Sequence, residues 1–482
     1  MPRMSLPTII QGGMGVGVSG WRLARAVSKA GQLGVVSGTC LDLVMTRRLQ
    51  VGDPGGHIRR ALGHFPIPDV AQRILDRHFV PEGLQKKRPF GSKPMPAMRP
   101  GRHLAELLVT SNFVEIFLAR EGHRGPVGIN YLEKVQLPTL PSLYGAMLAG
   151  AAWILMGAGI PKTIPGVIDL LADGQPVELK MDVRGAARDE DFFTRFDPQE
   201  FSEGTVAPIE RPKFVPIVSS ATLASMLAKK STGRIDGFVV EGPTAGGHNA
   251  PPRGRMQLCE EGAPVYGRRD VPDLQAIGAL GLPFWLAGSW ADPESVAEAR
   301  QAGAAGVQVG TAFAYAEESD LDPELKARVL SASRAGQAKV FTDPVASPTG
   351  FPFKVMQMED TLSDGVAYEN RTRVCDLGYL RHAYKTPGGS VGWRCPAEPV
   401  EDYVQKGGDA ADTHGRVCLC NALFANIGLA QLRADGGREM PFVTSGDDVA
   451  TVARFLPPGA ESYRAKEVIE SLLKPVRTPD LG

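Results

Sequence analysis

The chain has no apolar run long enough to span a bilayer. Its longest candidate, "AMLAGAAWILMGAGI", is short and rich in glycine. It also lacks a charge excess: 53 Lys and Arg balance 53 Asp and Glu, which disfavours a globally basic nucleic-acid binder. Cysteine is sparse, six in 482 residues, so a disulfide scaffold is not expected. The N-terminus "MPRMSLPTIIQGG" has no long apolar stretch after its charge and does not read as a secretory signal. These absences predict a soluble, cytoplasmic protein without membrane or nucleic-acid partners, leaving a homo-oligomer open. A dinucleotide fingerprint is missing too. "GMGVGVSG" lacks the G-x-G-x-x-G spacing, and the next acid, Asp42, comes late. The basic stretch "KKRPFGSKPMPAMRPGR" has few aromatics to stack on bases and reads as a solvated loop.

Apolar residues make up 43% of the chain, enough for a large core. The 56 glycines and 39 prolines punctuate the ends of short apolar runs. Those runs are 8–10, 33–37, 127–130, 153–156, 215–219, 237–240, 283–287 and 306–310. Most are continuous rather than alternating, as in parallel strands buried on both faces. Between them lie helix-like segments. "GWRLARAVSKAG" gathers Leu23, Ala26, Val27 and Ala30 on one face and ends at Gly31, while "ATLASMLAKKS" and "DPESVAEARQAG" repeat the design. Eight such units predict an α/β fold, a (β/α)8 TIM barrel. The expected division is a barrel over 1–330 with insertions at about 41–108 and 162–213, and a C-terminal extension over 331–482.

In a barrel, chemistry sits at the C-terminal ends of the strands. Those ends read "QGGMGVG" (Gln11, Gly12, Gly13, Met14 onward), Asn130, "GAGIP" from Gly157, "EGPTAGGH" (Glu241, Ala245, Gly246, Gly247, His248), "LAGSW" (Ala287, Gly288, Ser289) and "VGTAF" (Gly310, Thr311). Glycine dominates, which suits a large flat ligand approached mainly by backbone. Gly288, Ser289, Gly310 and Thr311 stand on the last two loops, where barrels commonly hold a phosphate. Met14 is either an apolar contact to a ring or core. His248 is the one histidine at an expected strand end, and imidazole is the side chain best suited to move protons near neutral pH. The plainer alternative is a structurally hydrogen-bonded loop histidine.

The segments "PTIIQGGMGVGVSG", "GPVGINYL", "VVEGPTAGGHNAPPRG" and "PFWLAGSWADPESVAEARQAGAAGVQVGTAFAYAEES" resemble the nitronate monooxygenase (2-nitropropane dioxygenase-like) family, FMN-dependent TIM barrels related to flavin-dependent enoyl reductases. The resemblance covers most of residues 5–320. It implies FMN, with Gly13 and Met14 against the flavin, Asn130 reaching the cofactor, and Gly246 and Gly247 along its phosphate or ribityl chain. It also implies His248 as catalytic residue and Gly288, Ser289, Gly310 and Thr311 on the phosphate. The expected activity is oxidation of small-molecule alkyl nitronates with O2. The alternatives are an FMN-dependent enoyl thioester reductase using NAD(P)H and a non-catalytic flavin- or metal-binding scaffold. Thr244 stands where the family usually has glutamate, and "AGSW" replaces an "AGG" start. "SPTGFPFKV" (347–355) resembles the family's post-barrel segment, which closes over the site.

The rest of the tail has no such parallel. Cys375, Cys395, Cys418 and Cys420 lie close in sequence, whereas only Cys40 and Cys259 precede them. Four thiolates suit a structural zinc or an iron–sulfur cluster, with His414 near enough to replace one. The spacing is irregular, and the alternative is packed thiols acting as small hydrophobes.

Overall fold

Eight parallel strands carry the apolar runs: β1 (Ile9–Gln11), β2 (Gly34–Ser37), β3 (Val127–Leu132), β4 (Trp153–Gly157), β5 (Lys213–Val218), β6 (Phe238–Glu241), β7 (Phe284–Ala287) and β8 (Gly306–Val309). The computed structural model describes residues 6–85, 88–205 and 208–476, so Met1–Ser5 and, from the basic stretch, Lys86 and Lys87 lie outside the described residues. The sheet runs β1-β8-β7-β6-β5-β4-β3-β2, so each strand after β1 neighbours its predecessor or successor in sequence. The two ends meet at Leu33: Gln11 N donates to Leu33 O at 2.9 Å and Leu33 N to Ile9 O at 3.1 Å. This closes a TIM barrel, as the strand count predicts.

The barrel has two apolar layers. Ile10, Leu33, Val35, Trp153, Leu155, Val215, Val239 and Trp285 fill one cluster, with Trp153 and Trp285 edge to face at 5.6 Å. Trp285 is fully buried, and its indole N–H donates to Pro7 O at 2.8 Å, so its one polar atom is satisfied. Ile9, Ile129, Ile154, Phe214, Phe238 and Val307 belong to a larger cluster with the helices.

The helices follow local signals. In α1 (Trp21–Lys29), Leu23, Ala24 and Val27 are buried, and Gly31 takes φ +79° just past the end. Ahead of α4 below, α2 (Leu41–Gln50) and α3 (Arg102–Arg120) occupy the first insertion, with two further helices between them. Ser220 caps α4 (Ala221–Lys230) by accepting from Leu223 N at 3.1 Å, and Asp292 caps α5 (Pro293–Gln301) by accepting from Ser295 N at 2.7 Å. The basic stretch has no helix or strand between 88 and 101, but it is not simply solvated. Lys93 is buried 2.6 Å from the equally buried Asp42. An apolar pocket accepts that lysine only with such a partner. The second insertion forms an antiparallel pair, Val177–Lys180 against Phe193–Phe196.

After the barrel, β9 (Val340–Asp343) pairs antiparallel with β10 (Phe353–Met356), and β10 also pairs with Gly247–His248. Later come α6 (Leu419–Ala425) and α7 (Ala465–Leu472). Tail residues Val443, Val449, Val452 and Tyr463 share one apolar cluster with barrel residues. Among the described residues, no helix is long and apolar enough to cross a membrane.

Candidate active site

A cavity of about 210 Å³ opens at the C-terminal ends of the strands. It gathers Gly12, Gly13 and Met14 after β1, Asn130 on β3, Gly157 on β4, and Glu241, Ala245, Gly246, Gly247 and His248 from the end of β6 and its loop. Ala287, Gly288 and Ser289 come from β7, and Gly310 and Thr311 from β8. Gln11 stays out of the lining. Its amide accepts from Val35 N at 3.0 Å and donates to Val35 O at 3.1 Å. It thereby replaces a strand partner where β1 and β2 meet poorly.

Backbone approach explains two of the glycines. A Cβ on Gly13 would stand 2.4 Å from Asn130 Cβ, and one on Gly246 would stand 2.6 Å from the carbonyl carbon of Ser445. Neither site admits alanine without movement. Ser289, which replaces the second glycine of "AGG", holds the left-handed conformation at φ +56°, where a Cβ is tolerated poorly. Two side-chain acceptors along the wall, Asn130 Oδ1 and Gln308 Oε1, are buried without a hydrogen-bond partner. Buried acceptors normally have donors, so both ask for N–H or O–H groups from a ligand. Backbone-lined walls, orphaned acceptors and the glycine loops of β7 and β8 fit a flavin mononucleotide.

His248 is positioned from two sides. Its backbone is opposite Phe353 in the short antiparallel pairing with β10. Its Nε2 lies 2.7 Å from Ser347 Oγ, which in turn lies 2.8 Å from Thr349 Oγ1. The imidazole stands edge to face with Phe353 at 4.9 Å. Burial pushes its pKa down to about 4, so the ring is neutral near pH 7. Glu241 shows the opposite displacement. Burial pushes its carboxyl up to about 8, so it is protonated near neutrality.

Both residues also line a second cavity of about 550 Å³, walled by Ile160, Leu223, Met226, Tyr266 and Phe351 among others. Ala158, Ile217, Glu241 and His248 are common to the two spaces. The larger is a mostly apolar chamber beside the backbone-lined one.

Several lining residues escape sequence reasoning. Thr444, Ser445, Gly446 and Asp448 come from the tail and close the cavity beside the β6 loop. Gly446 N donates to Thr311 Oγ1 at 3.0 Å, and Asp447 N to Thr244 O at 3.0 Å. The stretch "FVTSGDD" imitates a strand end, which is the only signal it carries. Gln308 is a polar residue inside an apolar strand, and that could have marked it.

The tail cysteines come near one another without forming a single-ion geometry. Among the described residues, no three His, Cys, Asp or Glu side chains are placed to hold one metal ion. The thiols interact two by two, Cys375 with Cys395 and Cys418 with Cys420, instead of converging on a point.

Fold and site together define a TIM barrel with a backbone-lined cavity beside an apolar chamber that shares four of its wall residues. Residues 201–347 match the sequence model of the nitronate monooxygenase family. Within that stretch the chain is similar to the family that its motifs resemble. A probable nitronate monooxygenase of Bacillus subtilis is 34% identical over 119 residues, covering 25% of this chain and 32% of that protein. The (3aS,4S,5R,7aS)-5-hydroxy-7a-methyl-1-oxo-octahydro-1H-indene-4-carboxyl-CoA dehydrogenase of Mycobacterium tuberculosis is 29% identical over 143 residues, covering 30% of this chain and 36% of the other. The matches thus span about a third of these relatives' length. Among solved structures, FabK from Thermotoga maritima aligns with a TM-score of 0.47 at 17% identity, over 97% of this chain and 91% of that one.

Proposed function

We propose that this protein is an FMN-dependent oxidoreductase whose organic substrate occupies the apolar chamber against His248 and Glu241. The observation that carries the reading is that the two spaces lie side by side with those residues in the shared wall, and that orphaned acceptors line the first space. A bound flavin would supply electron transfer between the substrate and an acceptor. The glycine loops at Gly288 and Gly310 would hold its single phosphate, and Asn130 and Gln308 would accept hydrogen bonds from it.

The first substrate class is an alkyl nitronate or its parent nitroalkane, with O2 as the acceptor. Neutral His248 takes a proton from the carbon of the nitroalkane, and the anion so formed stabilises the imidazolium that burial otherwise disfavours. Ser347 holds Nε2, leaving Nδ1 for the substrate. The chamber's volume favours a second reading as well. About 550 Å³ exceeds the needs of a small nitroalkane and suits a bulky activated alkene. Protonated Glu241 would then donate its proton to the enolate carbon or oxygen as NAD(P)H-derived electrons arrive.

Mass spectrometry of the released cofactor tests the flavin, and FAD or no flavin would overturn the proposal. Anaerobic bleaching with an alkyl nitronate, NADH and NADPH in turn separates the readings. Bleaching by nitronate alone supports the first, and bleaching by a nicotinamide with reoxidation by an enoyl thioester supports the second.

A further inference from the structure

Four thiols gather in the tail on segments that side-chain hydrogen bonds tie together. Arg373 donates to the carbonyls of Pro396 at 2.7 Å and Glu398 at 3.1 Å, drawing the Cys375 segment onto the turn that follows Cys395. Asn421 Nδ2 donates to Asp376 Oδ1 at 2.7 Å, fastening the neighbour of Cys375 to the neighbour of Cys420. The same amide nitrogen lies 3.5 Å from Cys418 Sγ. The two thiol pairs lie within electrostatic reach of each other, Cys395 of Cys418 and Cys420 of Cys375. All four are free thiols, and Cys395 and Cys420 are buried. Cys40, a fifth thiol in reach of Cys420, sits on the barrel side and is not needed to complete a set of four.

The surroundings carry both signs of charge, with Glu398 and Glu439 in reach as well as two arginines. Arg373 lies in reach of Cys395 and Cys418, and Arg381 in reach of Cys375, Cys395 and Cys420. Guanidinium is always charged, so two partly buried cations face a group of nominally neutral thiols. Backbone carbonyls accept from both arginines, those of Pro396, Glu398 and Thr413 from Arg373 and those of Gly378 and Pro96 from Arg381. Thiolates in reach would add opposite charge to that hydrogen bonding. The chain also connects this group to the cavity. Helix α6 bears Cys420 in its first turn, and Leu423 and Asn426 line the cavity. Six helical residues span about 9 Å.

We propose that Cys375, Cys395, Cys418 and Cys420 ligate an iron–sulfur cluster beside the flavin-type cavity. Each thiol loses its proton and binds iron, with the iron and inorganic sulfide drawn from solution. Such a cluster distributes its thiolates over several irons, so its ligands surround a body and need not converge on one point. That reconciles four gathered thiols with the lack of a single-ion site. Its position one short helix from the cavity would place the cluster close to the proposed flavin. This last clause alone rests on the proposed flavin.

The test is iron and acid-labile sulfide analysis of anaerobically purified full-length protein, with electron paramagnetic resonance before and after dithionite. At least about two irons and two sulfides per chain are expected. Cys395→Ala and Cys420→Ala should lose both, and Cys259→Ala, at a thiol outside the group, should keep both. If the two alanine variants do not fold, wild-type protein stripped with a chelator and incubated with ferrous iron and sulfide gives the same readout. Zinc alone, a disulfide by intact mass, or less than about 0.2 equivalents of iron after reconstitution overturns the proposal. Cluster without flavin would instead overturn the proposed function and leave this site standing.

Discussion

At the scale of single residues, the site depends on two groups that burial displaces in opposite directions. His248 is neutral with a pKa of about 4, and Glu241 is protonated with a pKa of about 8. If His248 moves the proton, His248→Asn should lower turnover by about 10² to 10⁴. Flavin content, read from the absorbance of the released cofactor, should hardly change. Equal turnover in the variant would reduce the histidine to a structural role. Glu241 makes a pH prediction for both stability and activity. Its folded pKa lies above the ordinary 4.5, so the folded state keeps a proton that the unfolded state releases between about 4.5 and 8. Its contribution to stability is therefore full below 4.5 and is lost as pH rises through about 8. The melting temperature of Glu241→Gln relative to wild type should rise between pH 5 and pH 8.5, by thermal melts in matched buffers. If the carboxylic acid donates a proton in turnover, the wild-type rate should also fall as pH passes about 8, and the variant should lack that limb. His248 runs the other way. Its folded pKa is below 6.5, so its contribution is full above 6.5 and is lost as pH falls through about 4.

At the scale of elements, the β6 loop is held between the barrel and the tail. Gly246 lies against the backbone of Ser445, and Lys354 Nζ reaches both Pro243 O at 2.8 Å and Asp447 Oδ1 at 2.6 Å. Gly246→Ala forces two backbones apart, an overpacking cost of about 1–3 kcal/mol. Equilibrium titration of the stripped protein with FMN should show affinity weakened by roughly 5- to 150-fold. Unchanged affinity would mean that the loop yields freely. The same elements show what the sequence can disclose. The strands were legible because burial on both faces leaves continuous apolar runs, and Asp292 and Ser220 marked two helix starts by local chemistry. Gln11 was read as a cofactor residue because a strand end does not reveal where its side chain turns, and here it turns into the seam with β2. Thr444–Gly446 went unread because their place depends on a pairing with residues about 200 positions earlier, which no local pattern records.

At the scale of the molecule, the tail is part of the site as well as a cover for it. Ser347 and Phe353 hold His248, Thr444–Gly446 wall the cavity, and Val449, Val452, Phe455, Tyr463 and Val468 are buried in the main core. We therefore propose that the expected boundary near residue 330 divides the chain by topology, while the folded unit includes both parts. A chain ending at Arg334 would leave the partner faces of those core residues open to water and His248 without its hydrogen bond. An exposed apolar face of that kind leads to association. The truncated chain should aggregate, or remain soluble without retaining FMN, as read by size-exclusion chromatography with cofactor absorbance. The full chain should unfold in one calorimetric transition, with equal calorimetric and van't Hoff enthalpies, because neither part can lose the shared core alone. Two separated transitions, together with a truncated barrel that still binds FMN, would show that the barrel needs no tail. The hydrogen bond from Ser347 to His248 would then be an accessory to a site already complete.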